Sequence, residues 1–225
     1  MEIDRRVAAF FDVDGTILKT IIIHYYVHFA TEGRSRFRRC LFWTGFVPQL
    51  LSYLVIDWIS RSAFNRLFYR RYRGMEMARL QVMAERLFAE EMTPRLFPEA
   101  VARVRAHRAR GERVVFVTGS LDFIITPLAR HLGVADVIAV RMVEREGRLT
   151  GYLTGPPVGD EEKARLIQKF AQAEGIDLAA SAAYGDSSAD LPMLRCVGHP
   201  VAVNPGKRLR REAEARGWEI VGWRV

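Results

Sequence analysis

Short apolar runs recur along this chain, and each is followed by small or polar residues. A short apolar run that leads into Asp, Gly, Thr or Ser is typical of a buried strand ending in a functional loop. Five segments have this pattern, at residues 7–11, 113–117, 137–140, 181–184 and 200–203. They predict a sheet of five parallel strands.

Helical periodicity fills intervals between these strands, at residues 98–110, 122–131, 161–174 and 207–216. Asp160 is a candidate N-cap for the third of these helices, and Gly217 is expected to end the last one. Alternating strands and helices predict an α/β fold with a doubly wound, Rossmann-like parallel sheet, whose ligand site lies at the carboxyl ends of the strands. A separate alternating pattern at residues 142–152 predicts a small hairpin.

Residues 19–95 do not follow the strand–helix alternation, because they combine helical periodicity with no strand signal. We therefore expect a helical cap domain at residues 19–95, inserted after the first strand. The α/β catalytic core would then consist of residues 1–18 and 96–225. A chain of 225 residues is long enough for one core and a modest second domain.

Charge is unevenly distributed along the chain. The formal net charge is +8, and residues 33–74 carry the whole excess, with nine arginines and one acid, Asp57. Cys40 and Cys196, the only cysteines, lie far apart and predict neither a disulfide framework nor a zinc site. The N-terminus has acids before its basic pair, which is unlike a secretory signal. A reducing, cytoplasmic location fits these features.

Asp12 and Asp14 lie two positions apart at the end of the first predicted strand, in the run Asp-Val-Asp-Gly-Thr at residues 12–16. This spacing can direct both carboxylates toward one ligand. One carboxylate can attack phosphorus, while the other protonates a leaving alcohol and then activates water. The alternative interpretation is a polar junction between strand and turn without chemistry.

Further candidate residues follow other predicted strands. Thr118 offers a hydroxyl and Gly119 an accessible backbone N–H, next to a helix N-terminus that favours anions. Lys163 is either a solvated surface residue or a cation that neutralises a phosphoryl group. Asp186 and Asp190 would join the first two carboxylates in an oxygen-rich site suited to Mg²⁺, since so many acids would otherwise repel one another.

Taken in order, these motifs resemble those of the haloacid dehalogenase superfamily and cover nearly the whole chain. The matching segments are Asp12-x-Asp14-Gly15-Thr16, Thr118-Gly119-Ser120, Lys163 and Gly185-Asp186-Ser187-x-x-Asp190. The resemblance implies that Asp12 forms an aspartyl-phosphate and that Asp14 is the general acid and base. It implies that Thr118 and Lys163 hold the phosphoryl oxygens. Mg²⁺ would be bound by Asp12, Asp186 and the backbone carbonyl of Asp14, with Asp190 in support.

The presence of Asp14 favours phosphate-ester hydrolysis, because dehalogenases and ion-pumping ATPases of the superfamily lack a carboxylate there. The inserted cap is similar to that of the phosphoserine-phosphatase-like subgroup. Two departures argue against phosphoserine itself, since Ile21 replaces a glutamate and Ala189 replaces an asparagine. The segment 200–218 is more similar to the branch that contains phosphatidylglycerophosphatase C.

The cap bears on the substrate. His24 and His28 lie one helical turn apart and either contact substrate or pack within the cap. The 19 residues of segment 41–59 are the most apolar in the chain, and we expect two shorter helices broken near residues 45–48 rather than a membrane-spanning helix. Arginines flank this segment on both sides: Arg34, Arg36, Arg38, Arg39, Arg61, Arg66, Arg70, Arg71 and Arg73. Aromatic residues are interleaved with these arginines: Phe37, Trp43, Trp58, Phe64, Phe68, Tyr69 and Tyr72.

An apolar surface with an arginine and aromatic rim suits peripheral contact with an anionic membrane, at the inner membrane face. A soluble cap with solvated arginines is the alternative. Nucleic-acid binding is not favoured, because the apolar segment would then need separate burial. We therefore expect a Mg²⁺-dependent phosphomonoesterase acting on an amphipathic or lipid phosphate. The alternatives are a phosphatase of a small metabolite (phosphoserine-like, sugar or alcohol phosphate) and a non-catalytic binding module.

Overall fold

The computed structural model describes residues 6–33, 35–59 and 61–225, with the side chains of residues 50–62 outside the description. Eight strands are present in these ranges: β1 (Ala8–Phe11), β2 (Arg113–Leu121), β3 (Asp136–Val140), β4 (Met142–Arg145), β5 (Arg148–Leu153), β6 (Ala182–Gly185), β7 (His199–Val203) and β8 (Glu219–Val221). Six of them form a parallel sheet in the order β3-β2-β1-β6-β7-β8. The predicted doubly wound α/β fold is confirmed.

The strand β1 lies in the middle of this sheet, between β2 and β6. All four of its side chains are completely buried, which explains its uninterrupted apolar sequence: a strand of a parallel sheet is covered by helices on both faces. The chain leaves β1 in one direction toward β2 and later returns to the other side at β6. Strand order therefore reverses at β1, and the crevice at its carboxyl end is the expected ligand position.

Helices cover both faces of the sheet and form the insertion. In chain order they are α1 (Ile22–Thr31), α2 (Arg36–Ile59), α3 (Arg61–Tyr69), α4 (Met77–Leu87), α5 (Pro98–Ala109), α6 (Asp122–Leu132), α7 (Glu161–Glu174), α8 (Leu191–Arg195) and α9 (Lys207–Arg216). The predicted stop at Gly217 is confirmed, with a left-handed φ of 65°. Asp160 precedes α7 as predicted, but its side chain makes no capping hydrogen bond to that helix.

The sheet differs from the sequence prediction in two places. A sixth strand, β8, pairs with β7 at the sheet edge, and the prediction of five strands missed it because its three residues include a glutamate and are at most half-buried. Strand β2 also runs on to Leu121, past the predicted end at Val117, with an irregular register against β3 over the added residues. The predicted hairpin is confirmed as β4 and β5.

The insertion between β1 and β2 contains α1–α4, as expected for a helical cap. Its centre is a cluster of aromatic rings in which Tyr26 contacts Phe46, Phe68 and Tyr72 at centroid distances of 5.4–5.7 Å. Burial of several large rings stabilises this helical segment, which also contacts the β4–β5 hairpin through backbone hydrogen bonds such as that from Gly74 N–H to the carbonyl of Leu149. The boundaries predicted at residues 19 and 95 stay predictions.

The predicted break near residues 45–48 is wrong, because α2 is one helix of 24 residues that continues through Pro48. Proline removes one backbone hydrogen bond of a helix. On the side of α2 that faces the rest of the cap, Phe46 is buried against Tyr26, and the Arg71 guanidinium lies 5.1 Å from the Phe46 ring centre. This packing offsets the cost of the missing hydrogen bond.

None of the helices in the described ranges is both long and apolar enough to cross a membrane. Arg34 and the side chains of Asp57, Trp58 and Arg61, which entered the charge and aromatic pattern of the cap, lie outside the described residues.

The turn that leads into β7 packs closely against the backbone of Ala179, and this contact can be tested. A Cβ atom on Gly198 would lie 1.8 Å from the carbonyl oxygen of Ala179, and backbone cannot move aside as a side chain would. We expect Gly198→Ala to lower the free energy of unfolding by about 1–3 kcal/mol or more, measured by urea denaturation. Gly155→Ala, where a Cβ would meet nothing within 4 Å, is the matched control. Equal stability of the two variants would contradict the described turn.

Candidate active site

The loop after β1 places Asp12 at the reversal point of the sheet. The backbone N–H of Asp12 donates to the carbonyl of Tyr184 on β6 at 2.9 Å, which continues the sheet pairing to this residue. Gly15 follows in a turn with φ of +95°, and its N–H donates to the carbonyl of Leu18 at 2.8 Å. A Cβ on Gly15 would lie 2.3 Å from the Asp186 carboxylate, so only glycine permits both the turn and the close approach of Asp186.

Lys163 joins two of the predicted carboxylates. From the first turn of α7 its ammonium donates to Asp12 at 2.5 Å and to Asp190 at 2.6 Å, and all three side chains are buried. Asp190 also accepts hydrogen bonds from the backbone N–H and the hydroxyl of Ser187 at 3.0 and 2.9 Å. Lys163 therefore lies in the site and is not the solvated surface residue of the alternative interpretation.

Carboxylate oxygens of Asp12, Asp186 and Asp190 lie within 4.8 Å of one another. Burial raises the pKa of Asp12 to about 7, with Lys163 opposing the shift and Asp190 and Asp14 adding to it. Burial, Asp190 and Asp12 likewise raise the pKa of Asp186 to about 8. Burial alone would lower the pKa of Lys163, but Asp12 and Asp190 outweigh it and the net shift is upward. One ammonium does not balance these acids, so the donor set fits a divalent cation.

Asp14 lies outside that group of three and is hydrogen-bonded to residues of strand β2 and the cap. Its carboxylate accepts hydrogen bonds from the hydroxyls of Tyr25 and Ser120, both at 2.6 Å, and from Thr118 at 3.3 Å. Burial raises the pKa of Asp14, and these hydrogen bonds oppose the shift. The structure therefore separates the two carboxylates of the Asp-x-Asp pair, with Asp12 beside the lysine and Asp14 beside hydroxyl groups. The predicted contribution of Asp14 to a metal site, through its backbone carbonyl, stays a prediction.

Thr118 and Gly119 lie within the irregular end of β2. The Thr118 side chain is completely buried, accepts the Ser120 N–H at 3.0 Å and donates to Asp14. Gly119 lines the cavity beside Asp12 and Lys163. Of the two residues predicted to bind phosphate at this strand, the structure thus exposes Gly119 to the cavity and turns the Thr118 hydroxyl toward Asp14.

A cavity of about 630 Å³ opens between the core and the cap above these residues. Core residues supply its charged floor, and the cap supplies much of the opposite wall. The cap-side and peripheral lining residues are Lys19, Thr20, Ile21, Ile22, Asn65, Phe97, Val158, Trp223, Arg224 and Val225. His24 and His28 are absent from the described lining: His24 lies 3.3 Å from the Thr20 hydroxyl, and His28 lies 3.0 Å from Glu91.

Sequence reasoning missed two cap residues that reach the site, Tyr25 and Asn65, as well as Ser120 as a partner of Asp14. Ser120 had a usable signal, since it directly follows the Thr118-Gly119 pair. Tyr25 and Asn65 had none, because each lies on a helix whose orientation over the core depends on packing between distant segments.

Comparison with known proteins gives a consistent result. The model of the family described as haloacid dehalogenase-like hydrolase matches residues 9–195. A protein named probable phosphatase from Mycobacterium tuberculosis is 33% identical over 219 residues, covering 97% of this chain and 76% of the relative. Phosphoserine phosphatase SerB1 of the same organism is 29% identical over 227 residues, covering 99% and 73%.

Among solved structures, a protein of unknown function from Bordetella pertussis Tohama I has a TM-score of 0.84 and 28% identity, covering 96% of this chain and 98% of that one. The family match spans most of the chain and includes all the motifs from Asp12 to Asp190. The chain therefore belongs to the haloacid dehalogenase-like hydrolase family, and within it to the phosphoric monoester hydrolases.

Proposed function

We propose that this enzyme hydrolyses a phosphorylated small molecule through an aspartyl-phosphate on Asp12, with Mg²⁺ as cofactor. The observation that carries the proposal is the division of labour between two buried carboxylates. Asp12 lies 2.5 Å from a buried ammonium, and Asp14 lies among hydroxyl groups with a raised pKa. The Lys163 ammonium favours the ionised form of Asp12 against the burial that raises its pKa, whereas Asp14 has a raised pKa and no hydrogen bond from Lys163, which leaves it to the proton transfers.

In the first step a carboxylate oxygen of Asp12 attacks phosphorus, and the bond from phosphorus to the leaving oxygen breaks. Lys163 favours the ionised form of Asp12 and offsets charge on the phosphoryl oxygens. The N–H of Gly119 is the proposed backbone donor to those oxygens, with Thr118 supporting the same segment. Asp14 gives its proton to the leaving oxygen, so the alcohol departs neutral while the phosphoryl group stays on Asp12.

In the second step water attacks the phosphorus of the aspartyl-phosphate. Asp14, now ionised, accepts a proton from that water, and the bond from Asp12 to phosphorus breaks. Inorganic phosphate leaves and both carboxylates return to their starting forms. The hydroxyls of Tyr25 and Ser120 hold Asp14 in one position through both proton transfers, at 2.6 Å each.

The carboxylates of Asp12, Asp186 and Asp190 would hold the metal, together with the proposed carbonyl of Asp14. When bound, Mg²⁺ supplies positive charge that favours ionised carboxylates and stabilises negative charge on the phosphoryl oxygens. The Thr16 hydroxyl lies 3.5 Å from the Asp186 carboxylate and donates to it, which helps to orient Asp186 toward Asp12 and Asp190.

The nucleophile can be tested by Asp12→Asn, which removes the negative charge and keeps the shape. We expect kcat on a phosphate monoester panel to fall by about a thousandfold or more. Acid-quenched wild-type enzyme should carry one phosphoryl group on the peptide that contains Asp12, detected by mass spectrometry. Asp136→Asn, a carboxylate at the opposite, amino end of β3, is the control and should retain activity. A phosphoryl group on another residue would refute the proposed chemistry.

The metal can be tested by its effect on stability as well as on activity. Chelation should abolish turnover, and added Mg²⁺ should restore it. Because Asp12 and Asp186 have raised pKa values of about 7 and about 8, the metal-free protein loses stability as pH rises from about 4 toward 8, where these acids ionise. Mg²⁺ should therefore raise the melting temperature more at pH 8 than at pH 5. Asp186→Asn should abolish most of this difference, and an unchanged melting temperature in wild type would contradict the site.

A second candidate function, action on an amphipathic phosphate at an anionic membrane, is favoured by one surface of the cap. Four large apolar side chains on α2 are well exposed: Phe37 77%, Leu41 63%, Trp43 41% and Val47 46%. The exposed Arg36, Arg38 and Arg39 lie on the same helix. An interfacial helix combines these two features.

Vesicle flotation tests this candidate. We expect wild type to float with phosphatidylglycerol vesicles and not with neutral ones, and the double variant Phe37→Ser, Leu41→Ser to float at least about tenfold less. Val82→Ser removes a similarly exposed apolar side chain (55%) from α4 and should leave flotation unchanged. If wild type stays in solution with both vesicle types, the membrane candidate is refuted and the phosphatase proposal is unaffected.

A further inference from the structure

Asn65, on helix α3 of the cap, is a polar residue that the proposed chemistry does not use. Its side chain is 0% exposed, and neither Oδ1 nor Nδ2 has a hydrogen-bond partner in the described part of the chain. The residue nevertheless lines the same cavity as Asp12 and Lys163. The structure thus has an amide without a hydrogen-bond partner, with its NH₂ donor group and its carbonyl acceptor, at the wall of this cavity.

The contact between α3 and strand β2 determines where this amide lies. Tyr69, one helical turn after Asn65, donates a hydrogen bond from its hydroxyl to the carbonyl of Gly119. A Cβ on Gly119 would lie 3.3 Å from Nδ2 of Asn65, so the amide is next to the proposed phosphate-binding segment. Residues four apart share one helix face, and the bond from Tyr69 therefore holds Asn65 toward the same point of the core.

An unpaired buried amide is costly to the folded protein. Each buried polar group without a partner has lost the hydrogen bonds that it makes with water in the unfolded chain. Two other groups lie near the Cβ position of Gly119: the carbonyl of Val158 at 3.0 Å and a methyl group of Ile22 at 3.7 Å. Neither forms a hydrogen bond with the Asn65 amide. Polar side chains with unmet hydrogen bonds at a cavity wall are suited to a ligand that satisfies them.

We propose that Asn65 selects substrates whose leaving alcohol carries a second hydroxyl group close to the phosphate ester. This inference rests on the proposed phosphatase function and names its substrate class. A hydroxyl both donates and accepts, so it matches Oδ1 and Nδ2 together, whereas a plain alkyl group would leave both atoms unpaired. Ile21 and Ile22 supply the apolar side of the same wall, which suits the carbon skeleton of a polyol.

Pairs of substrates that differ only in hydroxyl groups test the proposal: glycerol phosphate against propyl phosphate, and glucose phosphate against hexyl phosphate. We expect wild type to prefer the hydroxylated member of at least one pair by about tenfold or more in kcat/KM. The near-isosteric Asn65→Leu should reduce that ratio by about tenfold. Arg66→Ala, an exposed neighbour on the same helix, is the control and should keep the wild-type ratio.

A second measurement separates recognition from a structural role. If Asn65 binds a substrate hydroxyl and does not stabilise the fold, Asn65→Leu removes an unpaired buried amide and should raise the melting temperature by about 2 °C or more. A lower melting temperature, or a ratio unchanged by Asn65→Leu, overturns the inference while leaving the phosphatase function intact. Wild type that hydrolyses para-nitrophenyl phosphate without preferring any hydroxylated substrate overturns it as well. Absence of hydrolysis of every ester would instead refute the proposed function.

Discussion

The buried contact of Lys163 with Asp12 and Asp190 is the interaction on which the rest of the site depends. It joins three separate parts of the core: the end of β1, the first turn of α7 and the loop after β6. Removing one partner of a buried ion pair leaves an uncompensated charge and costs about 3–5 kcal/mol. The parallel sheet makes the contact attainable because it brings the carboxyl ends of β1 and β6 side by side.

The candidate site contains more acidic side chains than cationic ones. Lys163 supplies one positive charge, and Asp12, Asp14, Asp186 and Asp190 supply four ionisable carboxyls around it. Burial favours their neutral forms, as the raised pKa values of Asp12 and Asp186 indicate. A divalent ion at the proposed metal site would relieve the repulsion among these acids, so binding of that ion would also stabilise the folded protein.

The cap is hydrogen-bonded to the candidate site as well as covering it. Tyr25 reaches Asp14 from α1, and Tyr69 reaches the backbone of Gly119 from α3, so two of its helices are tied to the residues around the phosphoryl position. These bonds form only when the cap lies against the core. The position of the cap in this structure therefore both orients the proposed acid, Asp14, and places Asn65 at the cavity wall.

Local pattern determined much of this protein in advance. The central strands, the helices around them, the hairpin and the positions of Asp12, Asp14, Asp186 and Asp190 after strand ends were predictable, since strand period, loop chemistry and order along the chain are properties of neighbouring residues. For Lys163 the local pattern left two alternatives open, and its burial beside Asp12 decided between them. Elements stabilised by distant contacts were not. Strand β8 is held by pairing with the edge strand β7, and α2 continues through Pro48 while Phe46 packs on Tyr26. The hydroxyls around Asp14 and the free amide of Asn65 were likewise decided by the tertiary structure, because the approach of α1 and α3 to the sheet depends on packing between segments far apart in sequence.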